Sequence, residues 1–454
     1  MKKNTKITLS LLLLFLFIFS TVFYFSKRCV LDGQTICYDE KLSQFKIEVE
    51  GTITVQVESE AIKETFMSVW EKQHPDEVDR VEIIVQAPLT IKEILEYPSQ
   101  DIIYTSQNNA AYFMDRFYDL GDDFKSVVGS KIPQQLQDAM NTNGFNFVQN
   151  TINGWVFIYN KTLMSELGYN TDDINKDGLP DEFESWEKIL SHSNELLDNL
   201  DYVFPLTFSD QYSFYPFLTG GRWTLNFNHS MSEFGFKSRE FLEGLELIEA
   251  FSKVALSKND DNADSLKWAY DTALYERQTL FSISHASLGY EEQLSKHQDE
   301  FIISPFPKFK DYHLSPSGEV NGYALQNKTE TPSLAAEVLR VLRSPDVLNH
   351  YESSDDKTII YHRSHLDELN VSEEMKQLIK SYNYHDTDSV LALENNPSVL
   401  LRSVYEEVNF MDIFKDLYDG KISKEEAQNA VVERAEMWLK DNGGVIDDDV
   451  EGNS

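Results

Sequence analysis

Residues Asn153 to Trp186 read NGWVFIYNKTLMSELGYNTDDINKDGLPDEFESW. The opening apolar run, Trp155 to Tyr159, is bounded by Gly154 and Asn160, the pattern of a short buried strand. Thr162 to Leu167 follows as a short amphipathic helix stopped by Gly168. The segment from Asp173 to Glu184 then fits the twelve-residue calcium loop, with oxygen ligands at positions 1, 3, 5 and 9, glycine at 6 and glutamate at 12. Ca²⁺ takes six to eight oxygens, and alternate side chains of a tight loop all point inward. The expected ligands are Asp173, Asn175, Asp177, Asp181 and Glu184, with the backbone carbonyl of Leu179, and Gly178 makes the turn. Pro180 sits at position 8, where a sensor loop pairs with a partner, and no second loop exists. The loop therefore reads as a structural clip; the plainer alternative is an acidic surface turn.

Toward the amino terminus, no charge occurs from Ile7 to Ser26, enough residues to span a bilayer at 1.5 Å each. Lys2, Lys3 and Lys6 precede this run, so the positive-inside rule places the bulk of the chain outside the cell membrane on a single N-terminal span. A signal-peptide cleavage site is poor, and Ser26-Lys27-Arg28 is not a lipobox lead-in to Cys29, which favours an uncleaved anchor. Cys29 and Cys37 are the only cysteines; they either close a small disulfide loop or stay as thiols.

The remaining chain has an apolar fraction of 41%, ample for globular cores, and a net charge of −36 that argues against nucleic acid or anionic lipid as partner. Residues 52 to 104 alternate strand and helix. Ile53, Val55 and Val57 mark a strand, and Ile62, Phe66, Val69 and Trp70 one helix face. Val81, Ile83 and Val85 mark a second strand, Ile91 to Leu95 a short helix and Ile102 to Tyr104 a third strand. That order implies a parallel sheet, whose ligands collect beyond the carboxyl ends of its strands. Here those ends are Glu58-Ser59-Glu60 and Thr105-Ser106-Gln107-Asn108. Further along, Trp186 to Leu200 reads as one helix, Pro205 to Phe208 as a strand, and Phe236 to Phe251 and Asp264 to Arg277 as helices. Thr331 opens a capped helix.

The strand ending Ile158-Tyr-Asn-Lys161-x-Leu163, the acidic loop and the helix start Ser185-Trp186-Glu187-Lys188 resemble the extracellular solute-binding proteins of ABC transporters. The nearest type is the maltose-binding one, solute-binding family 1. Asp101 to Tyr104 followed by Phe117 to Leu120 is similar to the family's PDI…GxLxxL pattern, without its glycine-rich middle. Gln211 to Leu218 with Gly220-Gly221 resembles its PYxxxPLLxxxGG segment. Thr279 to His285 resembles its strand into the cleft, with Arg277 or Gln278 where a glycine is usual. Ser304 to Lys308, Asn321 to Leu325 and Lys421 to Ala427 resemble its crossover, its return strand and its terminal signature.

The resemblance implies an α/β, two-lobe periplasmic-binding-protein type II fold behind an N-terminal transmembrane anchor. Its expected parts are an anchor at 1–28, a linker at 29–44, lobe one at 45–153 and 306–361, lobe two at 154–305 and 362–440, and an acidic tail at 441–454. It implies a membrane-tethered, monomeric capture component of an ABC importer, partnered by permease subunits, that takes a di- or oligosaccharide between its lobes. Expected ligand residues are Gln107, Asn108 and Asn153 for hydrogen bonds, Tyr212, Trp223 and Tyr323 for stacking on sugar faces, and His285 near the solute. For each ring the competing reading is core packing, and for His285 a satisfied surface histidine. No G-x-S-x-G, H-E-x-x-H or P-loop motif occurs, so no enzyme is expected. A glycoside hydrolase with two nearby carboxylates, or a solute-sensing receptor of the same fold, stays open.

Overall fold

Ile53, Val55 and Val57 are fully buried in β1 (Ile53–Val57), as their alternation predicts. The computed structural model to which β1 belongs describes residues 35–442 except 142–143, 224–234, 259–268, 286–297, 317, 354–357, 383–403 and 406. The expected anchor at 1–28, Cys29 and the tail beyond Asn442 lie outside the described residues. Among the described residues no helix is long and apolar enough to cross a membrane. Cys37 is disulfide-bonded, and its partner lies outside the described residues.

Ser59 caps α1 (Glu60–Gln73), which buries Ile62, Phe66 and Trp70 against the sheet. β2 (Val81–Val85) and β3 (Ile102–Ser106) flank β1, both parallel to it. The Ser106 hydroxyl caps the short α2 (Gln107–Ala111), so the chain turns sharply at the carboxyl end of β3. β4 (Val148–Asn160) is much longer than the run after Gly154 suggests, because Gly154 lies inside it. In the second lobe α3 (Gln211–Leu218) and α4 (Arg239–Phe251) pack on β5 (Phe281–His285) and β6 (Phe301–Ser304) through a shared aromatic core. β7 (Gly318–Leu325) then returns between β3 and β4, antiparallel to both. α5 (Pro332–Leu342), β8 (Thr358–Ile359), α6 (Glu373–Ser381), α7 (Met411–Tyr418) and α8 (Lys424–Asp441) complete the described chain.

The main sheet runs β8-β4-β7-β3-β1-β2, and among the described residues β5 and β6 each pair with β4. Up to Gly154, β4 pairs with β7 and β8; from Trp155 onward it pairs with β5 and β6. One strand thus belongs to both lobes, and two hydrophobic cores form around it. Phe157 and Tyr159 enter the second core, while Val156 and Ile158, on the opposite face, join the first.

Several expectations need correction. Phe306, Phe309 and Leu314 belong to the second core, so the chain leaves lobe two between Leu314 and Gly318, not at 306. Trp186 to Leu200 is two helices, Trp186–Ser191 and Ser193–Asn199, broken at His192, whose ring nitrogen bonds the Lys188 carbonyl. Pro205 to Phe208 forms no strand. Thr331 does not cap α5 with its side chain; the carboxylate of Glu48 does, accepting from the amides of Ser333 and Leu334 at 2.8 Å.

The α3–α4 contact is made by glycines. A Cβ on Gly244 would lie 2.0 Å from the Leu218 carbonyl oxygen, and one on Gly221 2.1 Å from that of Glu240. Helix propensity alone would make Gly244→Ala stabilising by about 1 kcal/mol. Backbone overlap at that distance reverses the sign, with a net loss of about 1–3 kcal/mol in a denaturant titration. A neutral or stabilising result contradicts this packing.

Candidate functional site

Register places one row of the first-lobe sheet at Ser106, Asn321 and Thr151. β3 and β4 run the same way, so Gln107 and Asn108, at the start of α2 just past β3, and Asn153 on β4 lie beyond that row at the same end of the strands. Gln107 is 1% exposed, yet both of its amide heteroatoms lack a hydrogen-bond partner. The side-chain oxygens of Asn108 and Asn153 are likewise buried and unpaired. Buried polar atoms are normally satisfied, so orphans gathered at one sheet edge mark where another molecule supplies the partners. Neighbouring amides show the contrast. Gln56 holds the Ala87 carbonyl and the Tyr104 amide, and Asn109 holds the Leu89 carbonyl.

Asn153 and Trp155 lie on one face of β4, on either side of the change of lobe. Trp155 is half-buried, with its ring 6.2 Å from that of Tyr270. Its backbone pairs with His285, which puts His285 at the same junction; the His285 side chain lies outside what is described. Trp155 escaped the sequence reading because the strand seemed to begin there. Once the strand starts at Val148, its two-residue period places Trp155 beside Asn153. Tyr212 opens α3, half-buried, with its ring 6.1 Å from Tyr405.

Trp223 and Tyr323 are corrected. Trp223 is 2% exposed, its indole N–H donates to the Gly235 carbonyl, and its ring stacks on Phe236 at 5.4 Å. Tyr323 is 1% exposed in the other core, with its ring 4.9 Å from Tyr104. Burial pushes the Tyr323 hydroxyl up to about 12. Neither ring offers a face to a ligand. Tyr323 instead joins a buried network in which Asn150 donates to Tyr351, Tyr104 meets Thr151, and Arg343 binds the Asn150 carbonyl and side chain. This network anchors β4 just ahead of Asn153.

The acidic loop is well ordered by its own backbone. The Asp173 carboxylate accepts from the amides of Asp177 and Gly178, and Gly178 has φ +91. Its charges are met by lysines: Lys308 lies 3.0 Å from Asp177, and Lys188 2.7 Å from Glu184. Asn175 also donates to Asp177 and Glu184. The donor set is one that Ca²⁺ takes, but its oxygens are turned onto these partners. Among the described residues, no group of three or more His, Cys, Asp or Glu is arranged to hold a metal ion.

Two lobes joined by a shared strand make a mixed α/β fold that matches the two-lobe fold of solute-binding proteins. Solved structures of this fold make the likeness specific. The extracellular solute-binding protein from Staphylococcus aureus in complex with maltose superposes with a TM-score of 0.64 at 16% identity, covering 87% of this chain and 99% of that one. A cyclo/maltodextrin-binding protein complexed with maltotetraose gives a TM-score of 0.59 at 15% identity, with the same coverage, 87% and 99%. Both are binding proteins, and both likenesses are of fold. No family model and no curated protein matches the sequence.

Core and edge residues separate in a stability experiment. Trp223→Ala and Tyr323→Ala each lose about 3–5 kcal/mol of unfolding free energy, as large aromatics removed from a core do. Gln107→Ala changes stability by less than about 1 kcal/mol, because it deletes atoms that have no partner. Equal losses at all three positions contradict the assignment.

Proposed function

We propose that this chain is the membrane-tethered, extracellular solute-binding component of an ABC importer, and that it captures a neutral di- or oligosaccharide between its lobes without converting it. The observation that carries this reading is the fully buried Gln107 amide with both atoms unpaired, flanked by the Asn108 and Asn153 oxygens. A sugar offers hydroxyls that both donate and accept, together with apolar CH faces. Amides serve the hydroxyls, and Trp155 and Tyr212 are the half-buried rings for the faces. The maltose and maltotetraose held by the two structural neighbours support the ligand class. The uncharged run from Ile7 to Ser26 supports the tether, and the importer partnership follows from the fold's likeness alone.

We further propose that Asp173, Asn175, Asp177, the Leu179 carbonyl, Asp181 and Glu184 hold a structural Ca²⁺. The position-by-position motif and the Gly178 turn support it. Binding would displace Lys308 and Lys188 from the carboxylates, which points to an affinity at the weak, extracellular end, about 10⁻⁴–10⁻³ M.

Titration calorimetry of the full-length chain against maltose, maltotetraose and other neutral oligosaccharides tests the first proposal. Saturable binding is expected, weakened at least about tenfold by Gln107→Ala or Asn153→Ala, the cost of one or two lost hydrogen bonds in a dry site. Sugar products on long incubation, or no binding of any neutral sugar, overturn it. For calcium, chelation lowers the melting temperature and added Ca²⁺ restores it by mass action, with Glu184→Gln removing most of the shift. A chelator-insensitive melt overturns the site.

A further inference from the structure

Residues 29–44 read as a linker in the sequence, yet Thr35 to Glu48 is built into the first lobe. Tyr38–Asp39 and Gln44–Phe45 pair as a small antiparallel hairpin. Phe45 is fully buried, its ring stacked on Phe124 at 5.7 Å, and Ile36 joins the same core. The Phe45 amide donates to the buried Glu337 carboxylate at 2.8 Å, and the Tyr38 amide to Asp123 at 3.0 Å. The Ser333 hydroxyl donates to the Thr35 carbonyl at 3.1 Å. With Glu48 capping α5, these contacts hold the segment at both ends.

Cys37 lies in this segment, 6% exposed and disulfide-bonded. The chain has two cysteines, which leaves Cys29 as the partner. Lys27 and Arg28 alone separate Cys29 from Ser26, the end of the uncharged run. An extended residue spans at most about 3.5 Å and disulfide-linked Cα atoms lie about 6 Å apart, so Cys37 stays within about 16 Å of that end. Without the disulfide the same backbone would reach about 38 Å. A headgroup layer occupies roughly 5–7 Å of the distance. The longer leash would let the lobe float free; the shorter one sets it against the lipid.

We infer that a Cys29–Cys37 disulfide mounts the first lobe directly on the outer bilayer surface, with the hairpin tip, Lys41 and Leu42, as the lipid-facing contact. The inference rests on the tether proposed above. Leu42 is 64% exposed beside an exposed lysine, a pairing suited to headgroups over acyl chains. The contact is imposed by a covalent leash and needs no anionic lipid, which fits a net charge of −36. The segment enters β1 at its amino end, where Thr331 bonds the Thr52 carbonyl. Gln107 and Asn108 follow the carboxyl end of β3, which is parallel to β1, so the lipid contact lies at the other end of the sheet from the unpaired amides.

The test uses the full-length chain in phosphatidylcholine nanodiscs that contain a nitroxide-headgroup lipid, a quencher of fluorophores close to the headgroups. The fluorophore is placed at Lys41→Cys on the hairpin tip or at Met437→Cys in the second lobe, 61% exposed. Quenching at Lys41→Cys exceeds that at Met437→Cys at least about threefold, because the leash holds the hairpin within about 16 Å of the run. About ten Gly and Ser residues inserted after Arg28 keep the disulfide, add roughly 17 Å of reach and remove most of that excess. The insertion leaves every contact within the lobe in place, so a folding defect does not mimic it. Cys29→Ser with Cys37→Ser has the same effect through a leash of about 38 Å. Equal quenching at the two positions, or no change on insertion, overturns the mount. Peptide mapping without reductant that finds two thiols, or a bond between two copies, also overturns it. A chain that fails to enter the nanodisc refutes the tether and the mount together; an anchored chain with an unquenched label at Lys41→Cys refutes the mount alone.

Discussion

The continuity of β4 from Val148 to Asn160 is the constraint on which the rest of this molecule depends. A strand has two faces and two edges, and β4 assigns each by position. Its early edges go to β7 and β8, and its later edges to β5 and β6. Two cores form around it, the second within lobe two and the first reaching across to Val156, Ile158, Leu274 and Ile303 on the second-lobe side. Between the cores lies a short stretch, Asn153 to Trp155, on whose forward face the Asn153 oxygen is unpaired and Trp155, half-buried, packs against the rim of the second core.

Support for this junction comes from opposite sides. In the first lobe, Arg343 ties the Asn150 carbonyl to the Ile360 carbonyl, clamping β4 to the segment after β8. Burial lowers the Arg343 guanidinium to about 10, and its hydrogen bonds to backbone and Asn150 take the place of a carboxylate. In the second lobe the scaffold is aromatic, with Phe157 ringed by Phe204, Phe281, Phe306 and Trp186. The first lobe thus contributes polar geometry to the junction, and the second an aromatic scaffold.

Local pattern made much of this legible. The period of Ile53, Val55 and Val57 gave a true strand, and the end of β3 pointed to Gln107 and Asn108 because strand ends in parallel sheets face ligands. What escaped was non-local. Glu48 caps a helix that begins at Pro332, and Lys308 neutralises a loop at Asp177; neither pairing leaves a trace in spacing. Trp223 and Tyr323 were misplaced for a related reason. A ring that stacks on sugar and a ring that fills a core look alike in sequence, and only the Gly235 carbonyl and the Tyr104 ring distinguish them. Trp155 was hidden by Gly154, which ordinarily ends a strand and here lies inside one, facing another glycine.

The central claim is that the two lobes close on a neutral sugar by bending the strand they share. Small-angle X-ray scattering of the full-length chain, with and without saturating maltotetraose, tests it most directly. The account predicts a smaller radius of gyration with sugar that reverts on its removal, with the sugar recovered intact. An unchanged radius in the presence of demonstrably bound sugar would contradict it.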